Sequence, residues 1–226
     1  MSGPLSGKYL VTSWHDYPSG ILGRAEPALI GWFGRSARPG ETWLDLGAHY
    51  GYTTLALCQL VGGSGRVFAF EPLLTTVGYL AATRSVNRLD QLTIVPLAVG
   101  DDKEITPVNV STRKGMAQPK HREADGNWLD TIYCVALDKI WTRLCGNDET
   151  ISGIKMDVEG MEIEVLKGMM GILRKHRPKL VIEVHVSRGV RLADLTAVLR
   201  EAGYNEEGHP IEMDAEAIDK SYEFAC

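Results

Sequence analysis

Short apolar runs alternate with amphipathic stretches along most of this chain. Trp43 to Leu46, Arg66 to Phe70, Leu92 to Val99, Ile151 to Met156 and Lys179 to His185 predict strands. Glu26 to Phe33, Tyr52 to Val61, Leu73 to Asn87, Glu162 to Lys175 and Arg191 to Glu201 predict helices, the first with an apolar stripe of Ala28, Leu29, Trp32 and Phe33. Arg38-Pro39-Gly40 and Gly62-Gly63-Ser64-Gly65 are turns, Glu71-Pro72 ends a strand, and Gly203 closes a helix. The strands are continuous apolar runs rather than half-polar alternations. That pattern predicts an α/β domain whose mostly parallel sheet is covered by helices on both faces. Right-handed crossovers then bring the functional strand ends to one edge.

Two segments break the alternation. Residues 1–20 are polar and irregular and, with the helix that follows, make residues 1–40 an N-terminal arm and candidate lid. Residues 101–137 are polar and carry Thr112-Arg113-Lys114-Gly115 and Lys120-His121-Arg122-Glu123 between two strand-like runs, Ile105 to Ser111 and Thr131 to Ala136. An excursion of this size reads as a substrate cap or as a mobile surface loop. Asn87 reads as a helix C-cap rather than a ligand.

The chain's 226 residues suffice for one domain, 1–226, with a sizeable core. A net charge of −5 argues against nucleic-acid or anionic-membrane partners, which need a basic footprint. Cys58, Cys134, Cys145 and Cys226 show no C-x-x-C spacing, so neither a zinc knuckle nor a thioredoxin-like site is expected. No signal-peptide pattern opens the sequence and no apolar run approaches the ~18 residues of a membrane span. A cytoplasmic protein is the expectation. Apolar residues near the first helix would permit a homodimer.

The chemistry centres on Asp45-Leu46-Gly47-Ala48-His49-Tyr50-Gly51, a strand end, a glycine turn and a helix start. In α/β proteins a nucleotide-like cofactor sits there. A dinucleotide fingerprint would be G-x-G-x-x-G, and His49 and Tyr50 crowd the close approach that a pyrophosphate needs. No G-x-x-x-x-G-K-[ST] is present either. S-adenosylmethionine fits better, because it carries no phosphate. Gly47 lets the backbone approach it, and Asp45 can meet its amino group directly or through water. Glu71, at the end of the next strand, can accept from both ribose hydroxyls. Read blandly, Asp45 is a helix-capping or turn acid and Glu71 an exposed acid before a proline.

The blocks Asp45 to Thr54, Phe70-Glu71-Pro72, Ala98-Val99-Gly100, Ile154 to Gly160 with Val165-Leu166-Lys167-Gly168, and Ile182-Glu183-Val184-His185 stand in the order seen in FkbM-type methyltransferases. The chain resembles that family from about Ile21 to His185. The resemblance implies a Rossmann-like class I methyltransferase fold with an antiparallel C-terminal edge strand. It implies S-adenosylmethionine as cofactor, S-adenosylhomocysteine as product, and hydroxyls of sugars or natural products as acceptors. It also implies a cofactor site of Asp45, Gly47, Ala48, His49, Gly51, Thr53 and Asp157, with Glu71 on the ribose and Ala98 and Val99 near the adenine, Asp101 nearby. The chain departs from the family at His49, where Asn is usual, and in its short tail.

Methyl transfer to an alcohol needs alignment and a group that takes the proton as the bond forms. Asp157 and Glu159 follow one strand, and Glu183 and His185 end the next on one face. His185 is the candidate base or relay, because imidazole titrates near neutral pH. Asp157 and Glu183 would orient it or contact the acceptor. His185 could equally be a surface residue, and Glu159 an N-cap or first-turn acid. Lys155 would point away or pair with an acid. No metal is assigned, although these acids with His185 could hold a divalent ion such as Mg²⁺. Asp157-Val158-Glu159-Gly160 replaces the [DN]-P-P-[YF] of amino-methylating enzymes and so favours oxygen acceptors. Trp14, His15, Tyr17 and Trp128 could wall the acceptor site or simply pack. A nicotinamide-dependent oxidoreductase and a non-catalytic cofactor-binding protein are the alternatives.

Overall fold

The structure is a computed structural model and describes residues 5–12, 17–101, 104–110, 117–119, 128–146, 148–204, 207–211 and 217–224. Among these the elements run α1 (Pro18–Ile21), α2 (Pro27–Ser36), β1 (Thr42–Leu46), α3 (Tyr52–Val61), β2 (Arg66–Phe70), α4 (Leu74–Asn87), β3 (Leu92–Val95) and β4 (Ala98–Val99). They continue with β5 (Glu104–Val110), β6 (Ala117–Pro119), β7 (Trp128–Val135), α5 (Leu137–Cys145), β8 (Ile151–Met156), α6 (Glu162–Gly168) and α7 (Met170–His176). The last are β9 (Lys179–Val184), a 3-10 turn at Val186–Arg188, α8 (Leu192–Glu201), β10 (His209–Pro210) and β11 (Lys220–Phe224).

Among the described residues the main sheet has seven strands in the order β10-β11-β9-β8-β1-β2-β3. The five from β9 to β3 are parallel, whereas β11 runs antiparallel to both β9 and β10. The expected antiparallel edge is therefore a pair of strands. The chain builds outward from β1 to β3 on one side and then returns to lay β8 and β9 on the other. The carboxyl end of β1 is thus the topological switch point, where such sheets leave a crevice.

Period-two geometry divides the strand side chains between two cores. Leu44, Leu46, Phe68, Phe70, Ile154, Met156, Leu180 and Ile182 face α5 to α8 through Trp141, Leu166, Leu173 and Leu199. Trp43, Val67, Ala69 and Val181 face α2 and α3 through Leu29, Phe33, Leu55 and Leu57. All five side chains of β1 are buried, as a doubly covered strand requires. This is the doubly covered, mostly parallel α/β architecture that the strand and helix pattern predicts.

Several boundaries differ from the sequence reading. Leu92 to Val99 is two strands: β3 stops at Val95, before Pro96, and β4 joins a second sheet of order β4-β7-β5-β6. Proline cannot donate to a ladder, so the chain changes sheets there. The run from Glu162 to Lys175 is likewise two helices, broken at Met169. A Cβ on Gly168 would lie 1.7 Å from the Gly100 carbonyl oxygen, so glycine is required where α6 meets the start of the excursion. Residues 18–20 are helical rather than irregular. Helix α5 was not anticipated, although Leu137 and Trp141 recur at helical spacing and are buried. The polar runs at 112–115 and 120–123 lie outside the described residues, as do Trp14 and His15. None of the described helices is long and apolar enough to cross a membrane.

Two glycine substitutions separate packing from chain entropy. Gly168→Ala forces a methyl group onto a backbone oxygen and is expected to cost about 1–3 kcal/mol or more. Gly78→Ala, inside α4 with nothing within 4 Å of the new carbon, is expected to stabilise by up to about 1 kcal/mol. Paired thermal melts measure both.

Candidate active site

The turn after β1 is fixed from three sides. The amides of Gly47 and Ala48 both donate to the Phe70 carbonyl at 3.0 Å, which ties the turn to β2. Gly47 has φ +78, and a Cβ there would stand 1.8 Å from the Asp157 carbonyl oxygen. The turn can touch β8's end only because residue 47 is glycine. His49 is left-handed, φ 48, a conformation in which Asn, Asp and His are enriched. That explains how histidine can stand where the resembled family usually has asparagine. Its amide donates to Glu71 Oε2 at 2.9 Å.

Glu71 is 5% exposed. Its Oε1 accepts from the Leu73 amide at 2.9 Å and the Thr76 hydroxyl at 2.8 Å. Burial nevertheless holds its carboxyl above the ordinary range. It is a braced acid that lines the cavity.

Asp45 does not line the cavity. It is wholly buried, with Oδ2 accepting from the Thr53 and Thr54 hydroxyls at 2.9 and 2.6 Å. Its Oδ1 pairs with Lys155 Nζ at 3.2 Å. Its partners thus come from α3 and β8. Gly51 also lies outside the lining, as the left-handed cap of α3. Lys155 donates to the Gly47 carbonyl at 2.8 Å and lies 3.7 Å from Asp157 Oδ2. Burial opposes its charge, but Asp45, Asp157 and Glu26 outweigh burial and keep the ammonium protonated.

A cavity of about 270 Å³ opens over these strand ends. Gly47, Ala48, His49, Thr53, Glu71, Ala98, Val99 and Asp157, all expected cofactor residues, line it. Leu73, Leu97 and Ile132 add an apolar slot near Ala98 and Val99. Tyr17 forms another wall, edge-on to His49 and Tyr52 at 6.1 Å. Asn87 bonds both the amide and the carbonyl of Tyr9.

The predicted catalytic residues do converge. Ligand-type atoms of Asp157, Glu183 and His185 lie within 4.8 Å of one another, close enough to hold a divalent cation between them. His185 is buried rather than a surface residue. Its Nδ1 meets Glu162 Oε1 at 2.7 Å, and its Nε2 stands 3.6 Å from Asp157 Oδ1 and 3.8 Å from Glu159 Oε2. Glu159 pairs with Arg188 and stands three residues before Glu162, the first residue of α6, so it is neither an N-cap nor a first-turn acid. Asp157 and Glu159 line the cavity, whereas His185 and Glu183 stand one step behind.

Residues 45–206 match the Methyltransferase FkbM domain family. The chain belongs to the FkbM methyltransferase family. It is 27% identical over 195 residues to the hexuronic acid methyltransferase AglP of Haloferax volcanii, an alignment covering 86% of this chain and 76% of that one. Among solved structures, the FkbM methyltransferase of Methylobacillus flagellatus superposes with a TM-score of 0.57 at 20% identity over 95% of this chain. The match spans 56% of that protein, so this chain covers little more than half its length. Aeropyrum pernix fibrillarin, solved with S-adenosylmethionine bound, superposes with a TM-score of 0.54 at 13% identity, covering 99% of this chain and 86% of that one. The FkbM match makes this an S-adenosylmethionine-dependent methyltransferase, and the nicotinamide reading is set aside.

Lys155, expected to point away or pair with an acid, pairs with Asp45, as a cation inside Ile154-Lys155-Met156 would need. Two charged residues of this FkbM site escape the sequence reading. Glu162 and Glu26 gave no local signal, since their partners lie 23 and 9 residues away.

Burial would lower the His185 imidazole, but the bond to Glu162 and the charges of Asp157, Glu162 and Glu183 push it up to about 9. Burial, then the Asp157 charge, push Glu183 up to about 8. The folded protein thus holds more protons here than the unfolded chain, so stability falls as pH rises. For His185 the contribution is complete below the ordinary imidazole value of 6.5 and is lost by about 9. Thermal melts between pH 6.5 and 9 should show a declining Tm, with a shallower decline in His185→Gln.

Proposed function

We propose that this chain methylates a hydroxyl group of a small polar acceptor: a sugar, a glycoside or a natural product. The observation carrying this reading is the Asp157, Glu183 and His185 group at the carboxyl ends of β8 and β9, beside the Gly47 turn. The named activity of the Haloferax volcanii relative, on a hexuronic acid, supports a sugar-class acceptor.

The cavity's residues suit S-adenosylmethionine. Glu71 would take the ribose hydroxyls, Ala98, Val99 and Leu73 the adenine, and the Gly47–His49 turn the amino-acid portion. When bound, that cofactor supplies an electrophilic methyl group, so the protein's own tasks are alignment and proton removal. Asp157 opens onto the cavity and would hold the acceptor hydroxyl. His185 would receive the proton through Asp157 as a relay. Glu162 fixes its Nδ1, which leaves Nε2 turned toward the acids. Glu183 behind them spreads the charge. The acids also disfavour an ionised carboxylate as acceptor, which Asp157 and Glu159 would repel. Glu159, held by Arg188, would bound the acceptor side. Ile132, from the 101–137 excursion, adds to the apolar slot on the adenine side.

Methyl-labelled S-adenosylmethionine offered with a panel of glycosides and uronic acids tests this, with the product linkage read by NMR. An ether is the expected product; methyl ester or N-methyl products alone would refute it. With a working acceptor, Asp157→Asn and His185→Gln should each lower kcat about a hundred- to ten-thousand-fold. Only the neutral imidazole can take a proton, so wild-type kcat/KM should climb from pH 6.5 toward 9, and His185→Gln should lose that climb.

A further inference from the structure

Glu26 is the charged cavity residue that neither the sheet nor the acid cluster explains. It stands at the N-cap of α2, yet its side chain makes no capping hydrogen bond. Instead the carboxylate lines the cavity. Its backbone is left-handed, φ 46, a conformation that disfavours a residue with a Cβ. Strain of this kind persists where the surroundings fix a side chain for use. Among the described residues its side chain has one hydrogen-bond partner, the Tyr17 hydroxyl, 3.0 Å from Oε1.

The charge around Glu26 is unbalanced. Asp45, Asp157 and Glu26 all act on Lys155, the cation at this end of the cavity. That ammonium is already taken by Asp45 and the Gly47 carbonyl. Glu26 is thus a partly buried carboxylate beside a second acid, and among the described residues it has no ion pair of its own. Glu71, braced by α4, occupies the ribose side. Glu26 lies toward α2, with Asp157 and Lys155.

We propose that Glu26 is the counter-ion for the α-ammonium group of the cofactor's amino-acid portion, the role that Asp45 is too deeply buried to fill. The assignment rests on S-adenosylmethionine occupying this cavity. Tyr17 orients the carboxylate and closes the wall over it; Glu26 supplies the charge.

Calorimetry on the full chain tests this without any acceptor. The ligands are S-adenosylhomocysteine, which carries the ammonium, and 5′-methylthioadenosine, which keeps the adenosine and thioether but lacks the amino acid. Glu26→Gln should weaken S-adenosylhomocysteine about ten- to a hundredfold, as expected for a charge-assisted hydrogen bond. Its affinity for methylthioadenosine should be unchanged, which also shows that the variant is folded. Tyr17→Phe should have a much smaller effect on S-adenosylhomocysteine. Unchanged S-adenosylhomocysteine affinity in Glu26→Gln overturns the assignment. So does an equal loss for both ligands, or a Tyr17→Phe loss as large as that of Glu26→Gln. If the wild-type protein binds neither ligand, the cofactor site itself is wrong, an outcome distinct from all of these.

Discussion

One buried ammonium sets the geometry of this molecule. Lys155, on β8, is opposite Asp45 in the register of β1 and β8. It reaches Asp45, the Gly47 carbonyl and the edge of Asp157. Asp45 in turn anchors the start of α3 through two hydroxyls. A strand pair, a turn, a helix end and a site acid are therefore positioned by one cation. An ion pair of this kind adds little net stability compared with a well-packed apolar substitute. Its value is positional: an unpaired Asp45 or Lys155 would be very costly at this depth, so arrangements that separate them are excluded.

The same scarcity of cations, among the described residues, organises the acid cluster around His185. Asp157, Glu159, Glu162 and Glu183 gather around His185, with Arg188 engaged by Glu159. Like charges brought together in partial burial hold on to protons. Burial and then the Asp157 charge raise Glu183, while the Glu162 bond and the surrounding acids raise His185 against burial, so the two shift the same way although one is a base and the other an acid. Glu162, fully buried beneath the imidazole, turns that tendency into orientation. A proton entering the cluster is welcomed by charge and directed by geometry.

What could be read from the sequence was what short-range pattern encodes. The parallel strands, the glycine turn and Glu71 all announce themselves through neighbours in the chain. So does the gathering of Asp157, Glu183 and His185, because parallel strands deliver their ends to one edge. Legibility stopped where the decisive partner was distant. Asp45 looked like a ligand for the cofactor because nothing local reveals that Lys155 and α3 enclose it. Glu26 looked like the edge of an amphipathic helix, because the Tyr17 bond and the cavity beside it exist only in the fold. The breaks at Pro96 and Met169 were missed for a related reason. Apolar periodicity continues across both, and only the change of sheet at Pro96 and the Gly168–Gly100 contact explain why the elements do not.

The two halves of the sheet divide the work. On the β2 and β3 side, Glu71 and the apolar slot suit an adenosine, and their hydrogen bonds run to backbone amides and a threonine rather than to other charges. On the β8 and β9 side, ionisable groups act on one another. The halves meet at Gly47, whose amide holds the Phe70 carbonyl of β2 and whose α-carbon lies against the Asp157 carbonyl of β8. Any side chain at residue 47 would push these strand ends apart. The separation between the groups that would hold a cofactor and those that would accept a proton is thus set by backbone contact, which flexes far less than side-chain packing. In-line methyl transfer demands such fixed spacing, because the reacting atoms must align within a fraction of an ångström. The glycine of this turn serves less to make room for a ligand than to bring the two halves of the site to one distance.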